Sequence, residues 1–124
     1  MARVTNAPAS RKRRKKVLER AKGYRQARSK LYKRAKEFVE KGLTYAYRDR
    51  RRKKRDFRSL WITRISAACK ANGISYSRFI YGLKKAGINL NRKSLSDLAF
   101  NHPDAFSEIV EKVKGVVNLD NEKV

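Results

Sequence analysis

The hydrophobic residues of the second half of the chain recur at helical spacing and predict a series of short amphipathic helices. The first carries Trp61, Ile65, Ala68 and Cys69 on one face, and Asn72-Gly73 is expected to end it. The second begins after Ser75 or Ser77 as the N-cap and is ended by Gly87. Its hydrophobic residues follow the i, i+3, i+4, i+7 pattern of one helical face: Tyr76, Phe79, Ile80 and Leu83.

Two more helices complete this half of the chain. Asn91 is expected to cap a helix from Arg92 to about Asn101, and Pro103 to open a last helix that ends at Gly115. Their inward residues would be Leu95, Leu98 and Ala99, and then Phe106, Ile109, Val110 and Val113. Residues 60–115 are therefore predicted to form a compact all-helical domain, followed by a flexible tail over residues 116–124.

The first half has too few hydrophobic residues to enclose a core. Residues 1–9 are expected to be extended. A helix is predicted to begin after the N-cap Ser10 and to run through Lys22, with Gly23 ending it. A long helix is predicted from about Ala27 through Asn72. The thin apolar seam of the long helix consists of Leu31, Ala35, Phe38, Val39, Gly42 and Ala46. The predicted fold is all-α, with a long basic N-terminal helical extension over residues 1–59 in front of the small compact domain.

Positive charge is concentrated in that extension. Residues 1–60 carry 24 Lys/Arg and 5 Asp/Glu, a net charge of +19, whereas residues 61–124 carry 10 and 6, a net charge of +4. The segment from Tyr45 to Arg58 alone holds eight cations, two Asp and three aromatic residues, and its cations fall on every side of the predicted helix. Such a segment needs a partner rich in negative charge. Nucleic acid is the first candidate and an anionic membrane surface the second.

Other function classes lack support in the sequence. With one cysteine and one histidine, the chain can form neither an internal disulfide nor a zinc site of the usual four ligands, and Cys69 is expected to be a small buried group. No apolar run suits a secretory signal or a membrane span. There is no phosphate-binding glycine loop or catalytic set, so we predict a non-enzymatic, cytosolic protein without metal or other cofactor.

Several groups of residues are candidates for binding a phosphate backbone. Ser77-Arg78 and Asn91-Arg92-Lys93 lie at predicted helix starts, where free amides favour anions, and Lys84-Lys85 is nearby in sequence. Aromatic residues interleaved with the cations would either cover the apolar seam or stack on unpaired RNA bases. The candidates in the extension are Arg11, Lys12, Arg13, Arg14, Lys15, Lys16, Lys22, Tyr24, Arg25, Arg28, Tyr45 and Tyr47.

Several motifs resemble the family of bacterial large-subunit ribosomal protein twenty, and the likeness covers about residues 1–114. They are Lys22-Gly23-Tyr24-Arg25, Tyr45-Ala46-Tyr47-Arg48-Asp49-Arg50-Arg51, Lys54-Arg55-Asp56-Phe57-Arg58, Leu60-Trp61-Ile62, Gly73-Ile74-Ser75-Tyr76-Ser77, Gly82-Leu83-Lys84-Lys85-Ala86 and Asn91-Arg92-Lys93. The sequence departs from the family pattern at Gln26, where a glycine is expected in many members, and the end from Val116 onward matches no part of it.

The resemblance implies a structural protein of the bacterial ribosome that binds large-subunit ribosomal RNA and acts in early assembly of the subunit. Its other implied partners are neighbouring ribosomal proteins and, in some bacteria, its own messenger RNA, whose translation it represses. Neither a membrane partner nor homo-oligomerisation is expected. Carried over by position, the RNA contacts are Arg48, Arg50, Arg51, Arg52, Lys54, Arg55, Arg58, Ser77, Lys84, Lys85, Arg92 and Lys93.

The residues themselves leave two other partners open. The short C-terminal helices could mimic a helix-turn-helix, so a DNA-binding or chromatin-type protein is the main alternative. A peptide that lies on a membrane surface is the second, although the long helix lacks the broad Leu/Phe/Trp face that would bury in a headgroup layer.

Overall fold

The computed structural model describes Arg3 and residues 5–123, and these residues form helices without any strand. In chain order the helices are α1 (Ala7–Arg20), α2 (Ala27–Lys30), α3 (Tyr32–Ala71), α4 (Tyr76–Lys85), α5 (Arg92–Asn101) and α6 (Pro103–Asn121). The predicted all-α class is confirmed. The chain divides into two compact units between Arg52 and Lys53, within α3. The predicted domain division at residues 59 and 60 remains a prediction.

The first unit has a small apolar contact between α1 and the start of α3. Ala21, Ala35 and Val39 are buried there, and Val17 and Leu18 of α1 pack against them. Two residues of the predicted seam contribute less, since Leu31 is 59% exposed and Phe38 is 38% exposed. This unit therefore buries little apolar surface, and its cations remain on the outside.

Helix α1 starts earlier than predicted. Asn6 occupies the N-cap position and Pro8 lies in the first turn, where its missing N–H does not disturb the hydrogen bonding of the helix. The backbone N–H of Ser10 donates to the carbonyl of Asn6 at 3.0 Å, so Ser10 is inside the helix and its prediction as N-cap is wrong. The extended segment was expected to include Met1, Ala2 and Val4, which lie outside the described residues.

The predicted helix from Ala27 through Asn72 is broken near its start. Leu31 is extended, with φ −92° and ψ 120°, so the single turn of α2 ends there and α3 begins at Tyr32. The carbonyl of Leu31 accepts the first hydrogen bond of α3, from the N–H of Ala35 at 2.8 Å. A separate start allows α3 to present Ala35 to α1, where that residue is fully buried.

The second unit is built around a core contributed by α3, α4, α5 and α6. The rings of Phe79 and Phe106 lie 5.3 Å apart at its centre. Apart from Val117, which lies in the expected tail, the buried residues belong to the predicted hydrophobic faces: Ile65, Cys69, Phe79, Leu83, Leu95, Phe106, Val110 and Val113. Burial raises the pKa of the Cys69 thiol to about 11, so the thiol stays neutral at physiological pH. The expected packing role of Cys69 is confirmed.

The predicted helix limits in this unit are confirmed at α4 and at the start of α5. The Ser75 hydroxyl accepts from the Arg78 N–H at 3.4 Å, and the Asn91 side chain accepts from the Ser94 N–H at 2.8 Å. Gly73 and Gly87 follow the ends of α3 and α4 with φ of 75° and 70°. These left-handed conformations suit glycine, so both helix ends can be read from the sequence.

The predicted end of α6 at Gly115 is wrong, because the helix continues to Asn121. The added turns place Val117 in the core beside Gly82 of α4. They also allow the Tyr81 hydroxyl to donate to the Asp120 carboxylate at 3.2 Å. Residues 116–121, expected in a flexible tail, are therefore helical, because these contacts stabilise the helix beyond a glycine.

The contact between α4 and α6 depends on the absence of a side chain at Gly82. A Cβ there would overlap the Val113 side chain and lie 2.9 Å from Val117 Cγ2, whereas a Cβ at Gly115 would meet nothing within 4 Å. Gly82→Ala should therefore destabilise the protein by about 1 to 3 kcal/mol through overpacking. Gly115→Ala should stabilise it by roughly 0.5 to 1 kcal/mol through helix propensity. Urea unfolding of the full chain measures both, and equal effects would contradict this packing.

Gln26, where the family pattern leads us to expect glycine, has a backbone conformation that favours glycine. Its φ of 61° and ψ of −143° lie in a region that residues with a Cβ rarely adopt. The turn between α1 and α2 thus requires an unusual conformation at the position where the sequence departs from the family pattern. Ser29 stabilises the turn, since its backbone N–H and its hydroxyl both donate to the Gln26 carbonyl, at 3.4 and 3.3 Å.

Glycine and alanine at position 26 should therefore differ in their effect on stability. We expect Gln26→Gly to be more stable than Gln26→Ala by about 1 to 2 kcal/mol, because the Ala variant keeps the strained Cβ. Thermal unfolding of the full chain, followed by the helical circular dichroism signal, compares the two variants. An Ala variant as stable as the Gly variant would show that the turn does not hold a positive φ.

Candidate nucleic-acid interface

A basic groove in the second unit brings together two sets of predicted RNA-binding residues that are far apart in sequence. Three cations come from α3 and two from the start of α5, together with one indole and one amide side chain. The groove has a volume of about 460 Å³ and is lined by Lys54, Arg55, Arg58, Trp61, Asn91, Arg92 and Lys93. No carboxylate is among these lining residues, so the groove is a site of concentrated positive charge.

The start of α5 is held in place by hydrogen bonds. Because the Asn91 side chain already accepts from the Ser94 N–H, the amides of Arg92 and Lys93 remain directed out of the helix start. Arg92 is the only half-buried cation among the predicted sites in the described residues, and its Nε donates to the Tyr76 hydroxyl at 3.0 Å. The groove thus combines an ordered guanidinium with two free amides, an arrangement that favours a phosphate group.

A second groove adjoins the first and shares Trp61 and Lys93 with it. Its volume is about 470 Å³, and its lining is Trp61, Arg64, Lys93, Ser94, Ser96 and Asp97. Trp61 was expected on the same helical face as Ile65, Ala68 and Cys69, but it is only half-buried and does not belong to the buried cluster of the second unit. The Phe57 ring lies 6.2 Å from the indole, tilted by 36°. Trp61 is therefore a wall shared by two grooves.

Other predicted contacts of the second unit lie outside these two grooves. Lys84 and Lys85 are exposed at the end of α4, where Lys85 Nζ lies 5.6 Å from the Tyr81 ring centroid and 4.0 Å from the Asp120 carboxylate. Ser77 is exposed in the first turn of α4. A further groove of about 390 Å³ beside that turn has two cations, Arg78 and Lys114, in its lining.

The predicted cations of the first unit are exposed on its helices. On α1 the run from Arg11 to Lys16 faces solvent, and so do Lys22, Arg25 and Arg28 after it. The cations at the end of the unit, on α3, are also exposed: Arg48, Arg50, Arg51 and Arg52. The pair from Arg48 Nε to Asp49 Oδ1 at 3.0 Å relieves part of the charge. This surface remains strongly positive.

The aromatic residues of the first unit hold cations over their faces. Tyr45 lies beneath both Lys41 and Arg48, with distances of 5.0 and 4.7 Å to the ring centroid. Arg51 lies 4.7 Å from the Tyr47 centroid, and its Nη2 also donates to the Tyr47 hydroxyl at 2.8 Å. Tyr24 instead lies against Gly42, its hydroxyl 3.4 Å from where a Cβ would stand. These rings orient cations through cation–π contacts.

Sequence reasoning did not select some residues of the grooves. Trp61 was assigned to a hydrophobic face, although it also lies at helical spacing from Lys54 and Arg58 on α3, and that spacing could have associated it with them. Arg64 and Lys114 carried no such signal. Their positions depend on how α5 and α6 pack in the second unit, which periodicity along one helix does not reveal.

The described residues support neither a metal site nor a membrane span. No group of three or more His, Cys, Asp or Glu side chains in that part of the chain is arranged to hold a metal ion. Among the described helices, none has the length and apolar character needed to cross a bilayer.

The model of the family "Ribosomal protein L20" matches residues 3–109. The chain belongs to the ribosomal protein L20 family. Among proteins named "Large ribosomal subunit protein bL20", that of Hydrogenobaculum is 62% identical over 106 residues, 86% of this chain and 91% of the relative. That of Salinibacter ruber is 59% identical over 113 residues, 91% and 98% of the two chains. The Acetivibrio thermocellus protein is 56% identical over 117 residues, 94% of this chain and all of the relative. The family-model match ends within α6, so the last turns of that helix lie beyond it.

Proposed function

We propose that this chain binds large-subunit ribosomal RNA directly and promotes early assembly of the subunit. As a member of the ribosomal protein L20 family, it is a structural constituent of the large ribosomal subunit in the bacterial cytoplasm and not an enzyme. Direct RNA binding goes beyond family membership. The observation that carries it is the groove in which Lys54, Arg55, Arg58, Arg92 and Lys93 converge without a carboxylate in its lining.

The groove favours the phosphate backbone of a nucleic acid over a single anion. Its cations come from two helices held by one apolar core, so their spacing is fixed before binding. Five cations at fixed positions match several successive phosphates, and each contact releases condensed counterions into the solvent. The backbone amides at the start of α5 add donors that a phosphate oxygen can accept from.

The first unit would act by neutralising charge where RNA helices converge. Phosphates of neighbouring helices repel each other, and exposed arginines between them lower that repulsion. The rings of Tyr45 and Tyr47 keep Arg48 and Arg51 close to the helix, so less side-chain freedom is lost when RNA binds. This is the physical basis of the proposed role in assembly.

Two partner predictions rest on the resemblance. A messenger RNA that presents the same phosphates would occupy the same groove. We propose that such binding is the basis of the implied repression of the protein's own message. Neighbouring ribosomal proteins would contact surfaces that the RNA leaves free. The absence of homo-oligomers stays a prediction.

Salt dependence of the affinity for ribosomal RNA tests the groove. We expect the combined variant Lys54→Gln, Arg55→Gln, Lys93→Gln to lower the slope of log affinity against log salt concentration by about 2, because each lost phosphate contact removes roughly 0.7 to 0.9. The full chain is titrated with a protein-free large-subunit ribosomal RNA transcript, in the presence of excess transfer RNA and duplex DNA.

A matched control removes the same charge elsewhere in the second unit. Lys70, Lys112 and Lys123 are exposed and line none of the grooves described above, so Lys70→Gln, Lys112→Gln, Lys123→Gln should leave the slope nearly unchanged. Equal slopes for both combined variants would refute the groove as the binding site. Equal displacement by duplex DNA and by ribosomal RNA would favour a DNA-binding protein instead.

A further inference from the structure

We propose that Trp61 is a stacking platform for one unpaired RNA base, which occupies the second groove while the adjoining phosphates occupy the basic groove. The inference rests on the proposed RNA binding and adds to it a site for a base. It assigns a role to a residue that phosphate neutralisation does not require.

The position of the indole supports this role. Trp61 lines both grooves: the first is lined by cations and an amide, and the second by two cations, two hydroxyl groups and a carboxylate. It is half-buried and lies outside the buried core cluster. The Phe57 ring lies beside the indole, with its centroid 6.2 Å away. A large aromatic face that is oriented yet accessible is what a stacked base requires.

The two grooves differ in the chemistry of their linings. The basic groove has cations and the Asn91 amide around Trp61, which suits phosphates. The second groove also has two cations, Arg64 and Lys93, but it differs in including the Asp97 carboxylate, which can accept from the amino group of a base. Asn101 Nδ2 donates to Asp97 Oδ1 at 2.6 Å and so fixes the orientation of the carboxylate, leaving Oδ2 for a ligand.

A buried hydroxyl in the second groove provides an independent observation. Ser96 is 1% exposed, and its Oγ has no hydrogen-bond partner among the described residues. Buried polar atoms without a partner are uncommon in folded proteins. Ser96 lines the groove beside Trp61, and rotation of its side chain about χ1 would bring the covered Oγ to the groove, where a polar edge of a bound base would supply the missing partner. Lys93, which borders both grooves, would contact the phosphate that joins them.

The ligand that fits this site is a nucleotide in a loop or bulge of RNA, because the bases of a duplex are not available for stacking on a side chain. The Asp97 carboxylate favours bases with an exocyclic amino group, which are adenine, guanine and cytosine. Uracil has no exocyclic amino group: its one donor on that edge, N3–H, lies between two carbonyl oxygens that a carboxylate repels. The site should therefore discriminate between cytosine and uracil, which are of similar size.

The single tryptophan of the chain makes stacking directly observable. Binding of the full chain to a protein-free large-subunit ribosomal RNA transcript should quench tryptophan fluorescence, since a stacked base quenches the indole. Trp61→Leu should weaken RNA binding by roughly 5- to 150-fold, the range of base–aromatic stacking. Trp61→Phe, which keeps a ring, should retain most of the affinity. Circular dichroism melting confirms that each variant is folded.

Leu119→Ala is the control, because Leu119 is a large hydrophobic residue, 60% exposed in the same unit, and lines neither groove. Its RNA affinity should equal that of the unchanged chain. Short oligonucleotides test the choice of base: oligocytidylate should quench Trp61 at roughly tenfold lower concentration than oligouridylate, and Asp97→Ala should remove that difference.

The outcomes separate this inference from the proposed function. If the unchanged chain binds the transcript with the expected salt dependence but Trp61 is not quenched and Trp61→Leu binds equally well, the stacking site is refuted and RNA binding stands. If Leu119→Ala loses as much affinity as Trp61→Leu, the loss is not specific to the groove and the inference fails. If the unchanged chain does not bind the transcript, the proposed function itself fails.

Discussion

Repulsion among closely spaced cations is the constraint on which the rest of this structure depends. The chain carries a net charge of +23, and the few ion pairs of its acidic residues cannot neutralise it. In the first unit the apolar contact between α1 and α3 is small, with Ala21, Ala35 and Val39 at its centre. Little apolar burial therefore opposes the repulsion there, and a polyanionic partner would complete the stabilisation of this surface.

In the second unit, a larger apolar core opposes the repulsion among the cations. Its core is large enough to fix the positions of four helices, and the cations lie at the edges of that core. The capped start of α5 and the adjoining turns of α3 form one groove as a result. Positive charge is thus spread over the surface of the first unit but concentrated in a shaped site in the second. We interpret this difference as a division between charge neutralisation and recognition.

Local signals in the sequence predicted much of the fold. The caps Ser75 and Asn91 and the helix ends at Gly73 and Gly87 follow from hydrogen bonding and backbone conformation within a few residues. Gly115 also predicted a helix end, but that prediction was wrong. Val117 packs beside Gly82 and so stabilises the helix beyond Gly115. Similarly, the break at Leu31 interrupts a sequence without strong helix-breaking residues.

The candidate site was predictable in its residue types but not in its arrangement. The cations at positions 54–58 and 92–93 were both identified from charge and helix starts, yet nothing in the sequence joined them into one groove. That requires the packing of α5 beside α3. Trp61 shows the limit most clearly, since its spacing fits both a hydrophobic face and the cationic stripe of Lys54 and Arg58, and only the fold shows the indole at the border of two grooves.

Lysine footprinting of the assembled large subunit tests the central claim most directly. An amine-reactive reagent is applied to the free protein and to intact subunits, and modified peptides are quantified by mass spectrometry. The account predicts that Lys54 and Lys93, which share the basic groove, are both protected in the subunit, whereas Lys112 and Lys123 remain more reactive. Labelling of Lys54 and Lys93 at the rate of the free protein would contradict it, because the groove would then be open in the assembled particle.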